Sequence, residues 1–225
     1  MTDGLNKRII RSRRRTLALE VTADAALIVR APNRVSLEAI DTVVREKLPW
    51  ILEKQRLARQ RYQPPVKKEF VNGEEFLYLG EPYKLVVVND ALPPLVLNGK
   101  ELLFSDQYRS RARDEFLAWY KEQALQVIGQ RVKLYADPAG LKYRRISITR
   151  ARTCWGSCGV KGTLNFTWRL IMAPLNVVDY VVAHELAHLE ERNHSSRFWQ
   201  KVGVIFPDYP PARKWLRVNH RRLEL

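Results

Sequence analysis

The chain is poor in the residues that make covalent scaffolds. Of its 225 residues only two are cysteine and four are histidine. Two cysteines are too few for a disulfide framework. Cys154 and Cys158 have three residues between them in TCWGSC, not the two of a zinc knuckle or a thioredoxin-like pair. No second pair stands elsewhere to complete a four-cysteine zinc site. Both are read as free thiols in a reducing compartment. Long apolar runs are missing too, since none approaches the roughly 20 residues that cross a bilayer. The N-terminal MTDGLNKRIIRSRRR is basic with no apolar core behind it, unlike a secretory signal. These absences point to a soluble, cytoplasmic protein with no membrane partner. A glycine-rich phosphate loop of the Walker type is also absent, so any phosphate would have to be held by side chains or metal.

Acidic residues are scarce beside basic ones. Lysine and arginine number 39 against 24 aspartates and glutamates, a net charge of +15. Such a field favours polyanionic partners but does not name them. The densest stretch, KRIIRSRRR over residues 7–15, holds six basic residues in nine. A second run, KYRRISITRAR, covers 142–152, just upstream of the cysteines. Each is read equally well as a solvated face.

What is present is an ordinary globular balance, 46% apolar and 28% charged, on a chain long enough to bury a core. The first hundred residues read as strand-rich. TLALEV (16–21) alternates, ALIVRAP (26–32) follows it, and hairpins are expected over 70–88 and 89–104. Between them, 35–60 has helical spacing, with Ser36 as N-cap and Pro49 as a break. QPP (63–65) reads as a linker. From 106 to 136 the pattern is a long amphipathic helix, with Phe116, Trp119, Tyr120, Leu125, Val127, Ile128 and Leu134 available to a core. Strands are expected at ISIT (146–149) and GTLNFTWRL (162–170), and helices from Pro174 onward. The expected class is therefore α+β, with a β-rich part over 1–104 and a helix-rich part over 105–225.

Three of the four histidines fall within HELAHLEERNH, residues 184–194. The stretch 176–191 reads as a buried helix capped by Asn176, with Asp179 in its first turn. Four residues apart, His184 and His188 project from one helix face and can reach a single metal. Glu185 lies about 100° around the helix, free of the ligand set and placed to take a proton from a metal-activated water. This is the H-E-x-x-H arrangement of metal-dependent hydrolases. Asn193 can end the helix and turn the chain back, so His194 is the favoured third ligand, held by a new helix capped at Ser195. Asp179, Glu190 and Glu191 are the carboxylate alternatives. His220, in the basic tail RVNHRRLEL, is read as a surface residue.

Together WGSC (155–158), GTLNFTWRLIMAP (162–174), DYVVAHELAHL (179–189) and NHSSRFWQKV (193–202) resemble the YgjP-like metallopeptidases, relatives of the SprT-like zincins. The resemblance implies a zincin-like catalytic part with an HExxH active-site helix and a β-rich N-terminal extension. It also implies three histidine ligands at His184, His188 and His194, a catalytic glutamate at Glu185, and one zinc per chain, other divalent metals being possible. Peptide is the substrate it suggests. Such chemistry needs an edge strand to hold an extended chain and an electrophile for the oxyanion. GTLNFTWRL is the expected edge. Tyr180, Arg150 and Arg152 are the candidate substrate contacts, and the WGSC loop is expected to shape the site's surroundings.

Two other readings follow from the charge. Metal with clustered arginines suits cleavage of a phosphoanhydride in a nucleoside triphosphate. A nucleic-acid-associated protein with a structural metal, or a protease acting on DNA-bound proteins, is the other. Glu185 argues against a purely structural metal, because a closed four-ligand site has no use for it.

Overall fold

The computed structural model describes residues 7–22, 24–61, 68–89 and 93–225. The linker expected at QPP and part of the strand region expected over 89–104 lie outside them. The class is α+β, with sheets and six α-helices among the described residues. None of the described helices is long and apolar enough to cross a membrane. Contacts divide the chain into two compact units, Met1–Pro64 and Pro65–Leu225, well before the change of character read at 105.

The first unit is a three-stranded sheet with two helices. Strands β1 (Lys7–Ser12), β2 (Ala18–Val21) and β3 (Leu27–Pro32) take the order β1-β3-β2. The centre, β3, runs parallel to β1 and antiparallel to β2. The basic run at 7–15 thus begins as a strand. Ile9 packs against the core while its neighbour Arg8, on the opposite face of the strand, is exposed. Helix α1 (Leu37–Glu46) starts at Ser36, whose Oγ accepts a hydrogen bond from the Ala39 amide at 3.2 Å. Helix α2 (Leu48–Arg61) follows after one residue, and Pro49 sits in its first turn, where no amide donor is missed. Leu27, Val29, Ala31, Ile40, Val44 and Ile51 form this unit's core.

The second unit opens with a four-stranded sheet, order β4-β5-β7-β6, made from β4 (Glu75–Tyr78), β5 (Glu81–Val88), β6 (Leu95–Asn98) and β7 (Glu101–Ser105). A 3-10 turn over Asp106–Arg111 leads into α3 (Ala112–Ala136). The rings of Phe70, Phe76 and Phe104 surround Phe116 of α3, with centroids 5.0, 4.4 and 5.6 Å away. Sheet and helix therefore share one core, which is why no boundary falls at 105. Leu125 and Leu134, expected to face inward, are about half exposed, whereas Ile128 and Val132 are buried.

The remainder is a second three-stranded sheet and three helices. Strands β8 (Arg145–Thr149), β9 (Gly156–Cys158) and β10 (Thr163–Thr167) take the order β8-β10-β9. A 3-10 turn over Trp168–Met172 then leads into α4 (Leu175–Ala187), α5 (Ser196–Ile205) and α6 (Tyr209–Asn219). The entry to α4 is pinned by the β4–β5 turn. Leu79 and Gly80 donate their amides to the carbonyls of Ile171 and Met172 at 2.8 and 3.1 Å. A Cβ on Gly80, at φ +85°, would stand 2.7 Å from Pro174, so no larger residue fits there. Farther along, α4 is tied to α3 where Asp179 accepts from Arg131 Nε at 2.5 Å and Nη2 at 2.7 Å.

Candidate metal centre

Helix α4 is buried on nearly every side. It starts at Leu175 with Pro174 in the cap position and no side-chain cap, so Asn176 does not have the capping role expected of it. The Pro174 carbonyl accepts from the amides of Val177 and Val178 instead. The helix also ends at Ala187, short of the expected 191, leaving His188 as its C-cap. A turn over 188–190 reverses the chain, with the Glu190 and Glu191 amides both donating to the Ala187 carbonyl. Ser195 caps α5 as expected, its Oγ accepting from the Phe198 amide at 3.4 Å.

This reversal returns His194 to the helix. His194 Nε2 lies 3.1 Å from His184 Nε2. Ring centroids are 4.9 Å apart for His184 and His188, 4.9 Å for His184 and His194, and 4.8 Å for His188 and His194. One nitrogen from each lies within 4.8 Å of the others. The three rings meet on the fully buried Phe198, at 4.8, 4.5 and 4.7 Å. The carboxylate alternatives are engaged elsewhere: Asp179 with Arg131, and Glu190 with Lys201. Glu191 contributes its backbone carbonyl, 2.9 Å from His188 Nδ1. A carbonyl can only accept, so Nδ1 carries the proton that it donates there and the lone pair is left on Nε2.

Their surroundings favour the neutral form of His184 and His188. Burial, together with the charges of His188, His194 and Arg213, pushes the His184 pKa down to about 3. Burial also lowers that of His188. Metal ligation needs the neutral form, so at these two positions the environment works against the competing proton. The donor set suits zinc: two imidazole nitrogens about 2.0–2.1 Å from one ion in tetrahedral geometry stand about 3.3 Å apart, near the distance seen here.

Glu185, next to His184, is 4% exposed, and its Oε2 has no hydrogen-bond partner among the described residues. Burial lifts its pKa to about 8. Gly156 of β9 lies against it: a Cβ at that position would stand 2.6 Å from Glu185 Oε1. The WGSC stretch therefore does more than shape a turn, since its glycine is the floor on which the carboxylate rests. Arg192, just after the helix, donates to the carbonyls of Cys158, Gly159 and Val160 at 3.2–3.3 Å, tying the reversal to the end of β9.

The edge strand lies elsewhere than expected. GTLNFTWRL supplies β10, which pairs with β8 on one side and β9 on the other and so is central. The edge beside Glu185 is β9. Tyr180 is buried, with its ring edge-on to His184 at 5.9 Å. Arg150 and Arg152 are exposed, and neither has a hydrogen bond or ion pair among the described residues. Arg152 is sensed electrostatically by Arg169 rather than by the histidines.

Several neighbours of the cluster were not read from the sequence. Trp199 stacks on His194 at 5.9 Å, Tyr209 on Trp199 at 5.7 Å, and Tyr180 on Tyr209 at 6.3 Å. Arg213 lies over Trp199 at 4.2 Å. The FW pair four residues after His194 was the signal for the first of these; no spacing rule points to Arg213.

The YgjP-like, metallopeptidase domain family matches residues 15–219, and the chain belongs to that family. Membership brings a metallopeptidase-like role and a divalent metal. Among solved structures the chain is similar to the metallopeptidase zymogen of Pyrococcus abyssi, abylysin. The two are 24% identical with a TM-score of 0.36, over 43% of this chain and 91% of that one. No curated protein matches it.

Proposed function

We propose that the chain is a zinc-dependent hydrolase of peptide bonds, with His184, His188 and His194 as the three protein ligands and Glu185 as general base. The observation that carries this reading is the convergence of three imidazoles beside a buried carboxylate whose Oε2 has no partner among the described residues. Bound zinc supplies Lewis acidity there, polarising the scissile carbonyl and acidifying water. The chain's own residues do the rest. Oε2 of Glu185 takes the proton from the attacking water and passes it to the leaving amine. The raised pKa suits a group that must both accept and release a proton near neutrality. Edge strand β9 offers backbone donors and acceptors to an extended peptide. Tyr180, edge-on to His184, is the candidate donor to the oxyanion. Arg150 and Arg152 remain candidate substrate contacts only through their exposed charge. No described carboxylate or thiol joins the three histidines, which leaves room for substrate in the coordination sphere.

The test is Glu185→Gln in the purified, metal-loaded protein. Zinc should stay bound at about one per chain while peptide hydrolysis falls by about a thousandfold or more. Unchanged turnover would remove Glu185 from the chemistry. Glu185-dependent hydrolysis of nucleoside triphosphates, with peptides untouched, would assign the site to phosphoanhydrides. Zinc binding without any Glu185-dependent turnover, alongside salt-sensitive DNA binding, would favour the nucleic-acid-associated reading.

A further inference from the structure

Next to the histidine cluster an open cleft of about 660 Å³ is lined by Trp155, Tyr180, Tyr209, Arg213, Lys214 and Arg217, among others. Its basic wall is one face of α6. Arg213, Arg217 and His220 follow at intervals of four and three residues, so all three project from the same side. Like charges four apart on a helix repel. Helix α6, YPPARKWLRVN, contains no acidic residue to offset them. Among the described residues none of Arg213, Lys214 and Arg217 is paired with a carboxylate. Part of this charge has a local explanation. Arg217 lies in the last turn and His220 at the C-cap, where a cation suits the helix dipole, and His220 Nδ1 lies 3.0 Å from the Arg217 carbonyl. Arg213 and Lys214 sit mid-helix, where the dipole offers nothing.

We propose that this cleft is an anion subsite that receives a carboxylate of the peptide substrate, either its C-terminus or an acidic side chain. The proposal rests on the peptidase reading of the metal centre. Arg213 is held in advance, with its guanidinium over the Trp199 ring at 4.2 Å, and a planar donor fixed in that way can meet a carboxylate with two parallel hydrogen bonds. The cleft and the cluster share walls. Tyr180 lines the cleft and faces His184, and Trp199, beneath Arg213, stacks on His194. Trp155, on the cleft wall, is the residue just before edge strand β9. A peptide lying along β9 past Glu185 therefore runs towards the cations. The subsite would select substrates by charge, apart from the chemistry itself.

The experiment uses pairs of peptides that differ only in a free or amidated C-terminus, or only in glutamate against glutamine. For the metal-loaded wild type, kcat/KM should favour the carboxylate member at least tenfold, mainly through KM. In Arg213→Gln/Arg217→Gln the ratio should fall to near one with metal content unchanged. Arg217→Gln alone, which leaves the Trp199 stack in place, should lower it partway. Equal rates for both members in the wild type, or a preference that survives the double substitution, overturn the proposal. Binding is measured separately from turnover, by tryptophan fluorescence of the Glu185→Gln protein titrated with the same peptides. A tenfold tighter Kd for the carboxylate member, lost in the double variant, supports the subsite even if wild type cleaves neither peptide, a result that would count against the peptidase reading alone. Equal binding of both members, with inorganic phosphate quenching the tryptophans through Arg213, would assign the cleft to phosphate and overturn the proposal.

Discussion

Gly156 and Glu185 are in contact so close that one added carbon cannot fit: a Cβ on Gly156 would lie 2.6–2.8 Å from Oε1, Cγ and Cδ of the carboxylate. Backbone of the edge strand and the proposed base are thus fixed against each other. Gly156→Ala should push the Glu185 carboxyl group aside and lower kcat by about 100-fold, the scale of a 1 Å misplacement. Metal content should not change, since the three atoms nearest this residue's Cβ position all belong to Glu185, which is not among the proposed ligands. Steady-state kinetics beside metal analysis decide it, and a fully active Ala variant would show that the carboxylate is not held by this contact.

Phe198 is the surface on which all three imidazoles rest, 4.5–4.8 Å from each. Phe198→Ala removes that support and leaves a cavity. It should cost about 3 kcal/mol of stability and weaken zinc binding by about 10–100-fold, as loss of a ligand's supporting contacts does. Phe198→Leu should recover most of the stability but less of the affinity. Chemical denaturation and competition with a chromophoric chelator measure the two effects apart; equal affinity in all three proteins would rule the platform role out.

Arg131 and Asp179 anchor α4 to α3 by two hydrogen bonds. Asp179 is 5% exposed, so Arg131→Met strands a buried carboxylate and should destabilise the fold by about 2–3 kcal/mol. Combining it with Asp179→Asn removes the stranded charge and should restore part of the loss. Urea unfolding of the single and double variants gives the coupling. A double variant no more stable than Arg131→Met would mean that the charge is not the cause.

Stripped of metal, the protein should show a stability plateau between about pH 4.5 and 6.5, flanked by losses on both sides. Glu185 has a pKa raised from 4.5 to about 8, so its contribution is complete below 4.5 and is lost as pH rises through 8. His184 has a pKa lowered from 6.5 to about 3, so its contribution is complete above 6.5 and is lost as pH falls towards 3. Between 4.5 and 6.5 the two slopes oppose each other. Metal binding favours the deprotonated form of both groups and should abolish the alkaline loss. Thermal melts across pH test this, and Glu185→Gln should lack the alkaline loss even without metal. The same decline in that variant would place its origin elsewhere.

What could be read from the sequence was local. The pairing of His184 with His188 follows from the helical repeat of about 3.6 residues, which acts over a single turn. The return of His194 follows from Asn193 and the cap at Ser195, both within a few residues of it. Ser36 and Pro49 marked the ends of α1 and α2 for the same reason: capping and the missing proline amide are decided by neighbours in the chain.

The readings that failed depended on partners distant in sequence. Ile9 and Ile10, set among basic residues, gave no sign that β3 would take that segment as a parallel strand. GTLNFTWRL alternates as any strand does, and only β8 and β9 on its two sides make it central rather than an edge. Phe116 carried its helical signal openly, but not the fact that Phe76 and Phe104 of the four-stranded sheet, together with Phe70 ahead of it, would close on it and join sheet and helix into one core. The same holds at the histidine cluster. Spacing within fifteen residues brings the histidines together, because helix geometry and a turn need no other part of the chain. The floor under Glu185, the platform of Phe198 and the cations of α6 were decided by the tertiary structure, because a close approach between backbone, ring and charge exists only once separate segments have packed.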